Sequence, residues 1–251
     1  MDRIKILVLS WHPNTSTIAL GGFRRTAEIL KRCPNNIDMD IIDKEPSYLK
    51  NYVNSNIYEY KIPNFIKNLE NKFYIFERCF EWIISSFWIS YYILKLKNKN
   101  YNVVYVPTAE LCYFTIPLIL IKSLFKKKII LTVQNIDFKG NTNVSFYSEL
   151  RKDGHSIIYS ITILLLFLIS RFISISVYNH SNEIITVSND LKKSLGKHGV
   201  KSKINVVTNG IDLEIIKKVP EQDKIYEGIF IGRHHPEKGI FDIIKVWAFV
   251  T

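Results

Sequence analysis

Ile185-Thr186-Val187-Ser188-Asn189-Asp190-Leu191, then Val207-Thr208-Asn209-Gly210-Ile211-Asp212, then Ile231-Gly232-Arg233-His234-His235-Pro236-Glu237-Lys238-Gly239 carry the reading of the fold. Each begins as the end of a short apolar run and passes into residues that turn the chain. The runs are Glu183 to Val187, Ile204 to Thr208 and Gly228 to Ile231. After the first, Ser188 can cap a helix from Leu191. After the second, Asn209-Gly210 reads as a turn. After the third, Gly232 permits a tight exit, and Pro236 leads toward a helix over Ile240 to Val246. Continuous apolar runs, as opposed to alternating ones, are what a parallel sheet covered on both faces requires.

Working toward the amino terminus, Ile4 to Leu9, Met39 to Ile42, Val103 to Val106 and Ile129 to Val133 are further runs of this type. Between the runs, helical stretches are expected at Phe23 to Arg32, Phe65 to Lys95, Tyr113 to Phe125, Ser156 to Ser176 and Leu191 to His198. Strands alternating with helices predict an α/β fold, a Rossmann-like doubly wound parallel sheet with right-handed crossovers. The charged stretch Lys217-Lys218-Val219-Pro220-Glu221-Gln222-Asp223-Lys224 reads as a linker. The expected organisation is a domain over 1–216, a linker over 217–225, and the first β-α unit of a second Rossmann-like domain over 226–251.

With 251 residues, 47% of them apolar, the chain can bury a sizeable core. Lys and Arg number 34 against 23 Asp and Glu, a net charge of +11 that favours anionic partners. The basic residues are dispersed and no recognition motif accompanies them, so no nucleic-acid partner is expected. Cys33, Cys79 and Cys112 stand in no ligand spacing, so neither a disulfide framework nor a metal site is expected. The apolar run at the amino terminus is short for a secretory signal and reads as a buried strand, which makes the cytoplasm the expected compartment. A nucleophilic-serine hydrolase is disfavoured, because Ser188 has no glycine-flanked elbow around it.

Two segments have a second character. Ile157 to Tyr178 carries a single charge, Arg171, and Phe80 to Leu94 contains Trp82, Trp88, Tyr91 and Tyr92. The first is borderline in length for a membrane span, and the second has an interfacial composition. A buried core helix, a helix lying on a membrane surface and a span are the three placements open to Ile157 to Tyr178. A span is disfavoured because the strand from Glu183 follows at once.

Candidate binding residues lie where apolar runs end. Gly21 and Gly22 open a helix after the first run, where the backbone can approach a ligand and free N–H groups attract anions. Gln134 and Asn135 follow the run Ile129 to Val133; their amides can bind sugar hydroxyls but cannot take a proton as a general base. Asp137 stands two places on, as a substitute acid or an ordinary turn opener. Arg233 and Lys238 suit a diphosphate, one as a fork donor and the other as a mobile ammonium.

In this order and at this spacing, the three quoted motifs resemble the GT-B glycosyltransferases of the family 4 kind. In these a nucleotide-sugar donor lies between two Rossmann-like domains. The resemblance implies a retaining transfer of sugar from a nucleotide-diphosphate sugar to a lipid-linked or polysaccharide acceptor, with no cofactor and no obligatory metal. It implies that Arg233 and Lys238 clamp the pyrophosphate and that Gly21 and Gly22 contact the donor. It further implies that Gln134, Asn135, Ser188 and Asn209 border the acceptor side of the cleft. Where family members carry Thr-Val-His-Asp, this chain has Thr132-Val133-Gln134-Asn135, so no residue is nominated as catalytic. The family's donor domain continues to a pair of glutamates that hold ribose and sugar, and none follow here. The expectation is therefore a chain truncated early in its donor domain and inactive alone, cytoplasmic or peripheral on the inner face of the cell membrane. The alternative is a non-catalytic, membrane-associated acceptor-binding or scaffold subunit whose donor domain comes from a partner chain.

Overall fold

The computed structural model describes residues 3–10, 21–44, 47–50, 55–63, 74–108, 115–134, 157–211, 213–220, 223, 225, 228–232 and 239–250. The chain divides into two compact units, Met1–Asn209 and Gly210–Thr251.

In the first unit, seven strands form one fully parallel sheet. They are β1 (Ile4–Leu9), β2 (Ile37–Lys44), β3 (Asn56–Tyr60), β4 (Val103–Val106), β5 (Lys128–Val133), β6 (Glu183–Thr186) and β7 (Lys203–Val206). Their order across the sheet is β3-β2-β1-β4-β5-β6-β7, the doubly wound arrangement expected from the sequence. Register pairs include Ile6 with Met39 on one side and Val103 on the other, and Ile184 with Leu131 and Ile204. The helices are α1 (Gly21–Lys31), α2 (Ser47–Lys50), α3 (Tyr74–Lys95), α4 (Thr115–Leu120), α5 (Ile157–His180) and α6 (Asn189–Lys197).

The apolar runs are continuous because both faces of the sheet are packed. Successive strand residues point to opposite faces. Leu7 and Leu9 join Ile42, Val104, Val106, Leu131 and Ile184 in a core shared with Ile89 and Ile93 of α3 and Leu118 of α4. The same core takes in Val177 and Tyr178 of α5 and Leu191 and Leu195 of α6. On the other face, Val8 and Ile41 pack against Ala27 and Leu30 of α1 and Leu49 of α2. A buried ion pair between Lys44, ending β2, and Glu81 ties the sheet to α3.

Pro117 is tolerated because it falls in the first turn of α4, where its missing N–H has no helical partner. Beyond Leu120 the helix widens into a π turn over Ile121–Phe125, and Lys126 ends it in the left-handed region at φ 49°. The helix expected from Phe65 is described from Tyr74 onward; its earlier part lies outside the described residues.

α4 packs between α3 and α5, and the outer side of this helical layer is apolar. Ile83, Phe87 and Tyr91 on α3, Ile116 and Ile119 on α4, and Leu165, Ile169 and Phe172 on α5 are all exposed, Phe87 at 65% and Phe172 at 76%. At the other end of α5, Ser174, Val177 and Tyr178 are buried against the sheet. Among the described residues no helix is long and apolar enough to cross a membrane.

The second unit holds α7 (Leu213–Lys217) and α8 (Ile240–Val250). The stretch 217–225, read as the linker, falls within it. The strand expected over Gly228 to Ile231 is not formed: Ile229 and Ile231 are 74% and 85% exposed. The described residues of this unit include no neighbouring strand to complete a ladder, and an isolated strand has nothing to hold it extended. Conversely, β3 was not read from the sequence; it pairs along β2 from Asn56 with Asp40 to Tyr60 with Lys44.

Candidate functional site

The direction of strand addition reverses between β1 and β4, which are neighbours in the sheet. Crossovers on either side of such a switch leave a crevice outside the carboxyl ends of the strands. The chain brings polar residues to this edge from five strands. Ser10 follows β1 and Thr108 follows β4, and both are buried. Gln134 follows β5, Ser188 follows β6, and 207–209 follow β7.

Gly21 and Gly22 are the first two residues of α1, so the N–H groups of its first turn, which have no acceptor within the helix, lie where the chain returns from β1. The Gln134 side chain donates from Nε2 to the Pro107 carbonyl at 3.3 Å, joining the ends of β5 and β4. Ser188 takes the capping role: its extended backbone precedes α6 and its hydroxyl accepts from the Leu191 N–H at 3.2 Å. Asn209 is exposed at the end of the first unit. Asn135, Asp137, Arg233 and Lys238 lie outside the described residues. Thus Gly21, Gly22, Gln134, Ser188 and Asn209 all belong to the carboxyl edge, whereas the geometry of the diphosphate pair is not described.

Arg25 is a further residue of this edge, one to which the sequence analysis gave no role. One turn into α1, it donates from Nη2 to the Val207 carbonyl at 3.3 Å, bringing α1 to the chain just past β7. Its Nη1 is buried and has no hydrogen-bond partner among the described residues. On the same face Tyr105 and Thr132 share a hydrogen bond of 3.0 Å. Burial pushes the Tyr105 phenol up, against the opposing effects of the Thr132 hydrogen bond and the Arg25 charge. The Thr108 hydroxyl is likewise buried and without a hydrogen-bond partner among the described residues. The signal for Arg25 was its place one turn after Gly21; for Thr108 no sequence motif exists.

A groove of about 700 Å³ opens at the opposite, amino edge, lined by Lys5, Asp38, Asp40, Asn56, Lys99 and Tyr101 among others. Its central carboxylate, Asp40, already accepts from Asn56 at 2.9 Å, from Lys99 at 2.9 Å and from Tyr101. This central carboxylate is thus already engaged, and the groove lies away from the strand ends where open α/β sheets bind ligands. The carboxyl edge is therefore the better candidate. Among the described residues no group of three or more His, Cys, Asp or Glu is placed to hold a metal ion.

A doubly wound parallel sheet with polar residues at its carboxyl switch point defines a Rossmann-like α/β domain. Residues 66–215 match the family model described as Glycosyltransferase Family 4, more than half of the chain, and the chain belongs to that family. Two solved structures are similar in backbone course. A UGT transferase from Siraitia grosvenorii in complex with UDP has 7% identity and a TM-score of 0.46, over 82% of this chain and 51% of that one. The Candida albicans trehalose-6-phosphate phosphatase N-terminal domain has 9% identity and a TM-score of 0.49, over 100% of this chain and 55% of that one. The chain spans about half the length of each. No curated protein matches the sequence.

Proposed function

We propose that this chain provides the acceptor-side domain, over 1–216, and the beginning of the donor domain, over 226–251, of a retaining glycosyltransferase. It would act with a nucleotide-diphosphate sugar as donor and a lipid-linked or polysaccharide acceptor. The observation that carries the reading is membership of glycosyltransferase family 4 through residues 66–215. The crevice at the carboxyl edge supports it. Gly21 and Gly22 offer backbone N–H groups to the donor, while Gln134, Asn135, Ser188 and Asn209 border the acceptor. Arg233 and Lys238 neutralise the charge that grows on the departing diphosphate, and this stabilisation is greatest in the transition state. Gln134 and Asn135 orient hydroxyls without taking a proton, so the acceptor proton passes to another base, the donor phosphate being the nearest by chemistry.

A membrane surface as the place of action is supported by the helical layer of α3, α4 and α5. Its exposed positions among the described residues carry large apolar side chains and no acidic ones, and Lys95, Lys122 and Lys126 are exposed at the helix ends. Such a face suits peripheral binding to acidic lipid. The same layer would serve the second reading, a non-catalytic acceptor-binding or scaffold subunit that takes its donor domain from a partner.

The test is transfer of labelled sugar from UDP- and GDP-sugars into membrane lipid or polysaccharide by the natural gene product. Transfer is expected, and the double variant Arg233→Ala, Lys238→Ala should lose roughly 100-fold or more of the rate. Transfer unaffected by the double variant would remove the diphosphate role from that pair. Acceptor binding without transfer would favour the scaffold reading.

A further inference from the structure

We propose that Asn209 is a site of spontaneous, self-timed modification: the Gly210 backbone nitrogen attacks its side-chain amide, and water then leaves a carboxylate in the amide's place. Asn209-Gly210 is the only Asn-Gly pair in the chain. Asn209 ends the first compact unit and Gly210 begins the second. The chemical step needs no other residue and does not rest on the glycosyltransferase reading; only its consequence for transfer does.

The reaction requires a main-chain nitrogen without a hydrogen bond, a side-chain amide without one, and room to close a five-membered ring. The sheet releases the chain just before this pair. Val207 is still held, its N–H donating to the Thr186 carbonyl at 2.8 Å and its carbonyl accepting from Arg25 at 3.3 Å. From 208 to 211 every residue is exposed and outside any helix or strand. Among the described residues neither the Asn209 amide nor the Gly210 N–H makes a hydrogen bond. A Cβ placed on Gly210 would meet no atom within 4 Å, so nothing crowds the attacking nitrogen, and glycine leaves the local torsions free. Other asparagines are held. Asn102 and Asn182 accept from the Lys5 and Ile129 N–H groups at 2.8 and 2.9 Å, and Asn205, within β7, donates to Glu183 at 2.9 Å. Each of these three is followed by a residue that carries a side chain, Val103, Glu183 or Val206.

In the first step a bond forms between the Gly210 nitrogen and Asn209 Cγ, the Cγ–Nδ2 bond breaks, and ammonia leaves with the proton from the Gly210 nitrogen. One water then opens the succinimide ring. Opening at Cγ gives aspartate; opening at the main-chain carbonyl gives isoaspartate, which routes the backbone through the side chain and adds one methylene to the connection between the units. Either product lowers the net charge of +11 by one and removes the amide's N–H donors. On the proposed reading Asn209 borders the acceptor. A carboxylate there repels phosphates on donor or acceptor, so the enzyme would lose activity with age while still folded.

The experiment holds the folded full chain at neutral pH and physiological temperature for days and follows the tryptic peptide Ile204–Lys217 by mass. The peptide should gain one mass unit, or three in water labelled with heavy oxygen, and part of it should accept methyl groups from an isoaspartate-specific methyltransferase. Asn209 in the folded chain should react within severalfold of its rate in the urea-unfolded chain, while Asn205 in the same peptide stays intact. Alkaline buffer should speed the loss, because the attacking nitrogen must first shed its proton. Gly210→Ala should slow it severalfold or more; Gly210 is not in the left-handed region, so alanine enters without strain. An Asn209 that persists in the folded chain while the unfolded chain deamidates would overturn the proposal, and that comparison needs no variant. So would a folded Gly210→Ala protein that reacts as fast as the unsubstituted one. None of these readouts involves sugar transfer. If aged and fresh protein transfer sugar equally, the modification stands and Asn209 loses its place beside the acceptor; if Asn209 persists, the modification falls and the glycosyltransferase reading is untouched.

Discussion

Asp40 and Lys44 lie on the same face of β2, four residues apart, and meet opposite ends of the molecule's polar economy. Burial alone would raise the Asp40 carboxyl, but hydrogen bonds from Tyr101, Lys99 and Asn56, with the Lys99 charge, outweigh it and hold the group below the usual carboxylate range. A carboxylate depressed in the folded state adds stability that is complete above its unfolded pKa, about 3.9, and is lost as pH falls through the lower folded value. Asp40→Asn should therefore cost about 1–3 kcal/mol at pH 7. The gap from the unsubstituted protein should close as pH drops below about 4, which urea midpoints at several pH values would read. Glu81→Gln removes the carboxylate charge that faces the buried Lys44 ammonium and should cost about 3–5 kcal/mol. Restoring an apolar match with Lys44→Met and Glu81→Leu together should recover most of that loss in the same unfolding assay. Neither interaction was legible in the sequence, because Asp40 needs β3 and the turn before β4 for its partners, and Glu81 lies 37 residues from Lys44. Gly21, Gly22, Gln134 and Ser188 were legible because each sits just after an apolar run.

The elements themselves were legible where apolar runs are continuous. β1 and β4 have the bounds that their sequences predict, and β5 begins only one residue early, at Lys128. β3 escaped because Asn-Ile-Tyr-Glu-Tyr is short, mixes polar and aromatic residues and sits at the sheet's edge, where one flank goes unpaired. The reverse error, Gly228 to Ile231, has the composition of a buried strand but, among the described residues of its unit, no neighbouring strand to bury it. Ser188 shows how two readings of one residue resolve: the hydroxyl caps α6, and Ser188→Ala should lower stability by about 1 kcal/mol. α5 and α6 are joined by Arg171, whose Nη2 donates to His198 Nδ1 at 2.8 Å, since a guanidinium cannot accept. Burial, and secondarily the Arg171 charge, lowers the His198 pKa. The unfolded chain then takes up a proton first, so stability should decline as pH falls below about 6.5. In Arg171→Met that decline should flatten, as thermal melts between pH 7 and 5 would show.

At the scale of the molecule, the helical layer joins two properties that the sequence displayed separately, aromatic and aliphatic helices and an excess of positive charge. If the layer meets lipid, the protein should float with vesicles rich in phosphatidylglycerol, bind phosphatidylcholine vesicles weakly, and be released in part by 1 M salt, where the screening length is about 3 Å. Phe87→Ser with Phe172→Ser should reduce flotation while leaving the melting temperature nearly unchanged, because both side chains are exposed. Equal binding to neutral and acidic vesicles would count against the basic rim.

The pairing of β1 with β4 also sets a timetable. Ile6 aligns with Val103, so on the ribosome the first strand must wait for nearly a hundred further residues before its second neighbour exists. At about 5–20 residues per second that interval is on the order of 5–20 s. Until then one long edge of the nascent sheet has only β2 and β3 on its other side, and Leu7 and Leu9 lack the β4, β5 and α4 side chains that later enclose them. A cell making this protein must therefore shelter an unfinished hydrophobic edge for seconds during each synthesis, and chaperone supply, as much as the final stability, would govern how much of it accumulates.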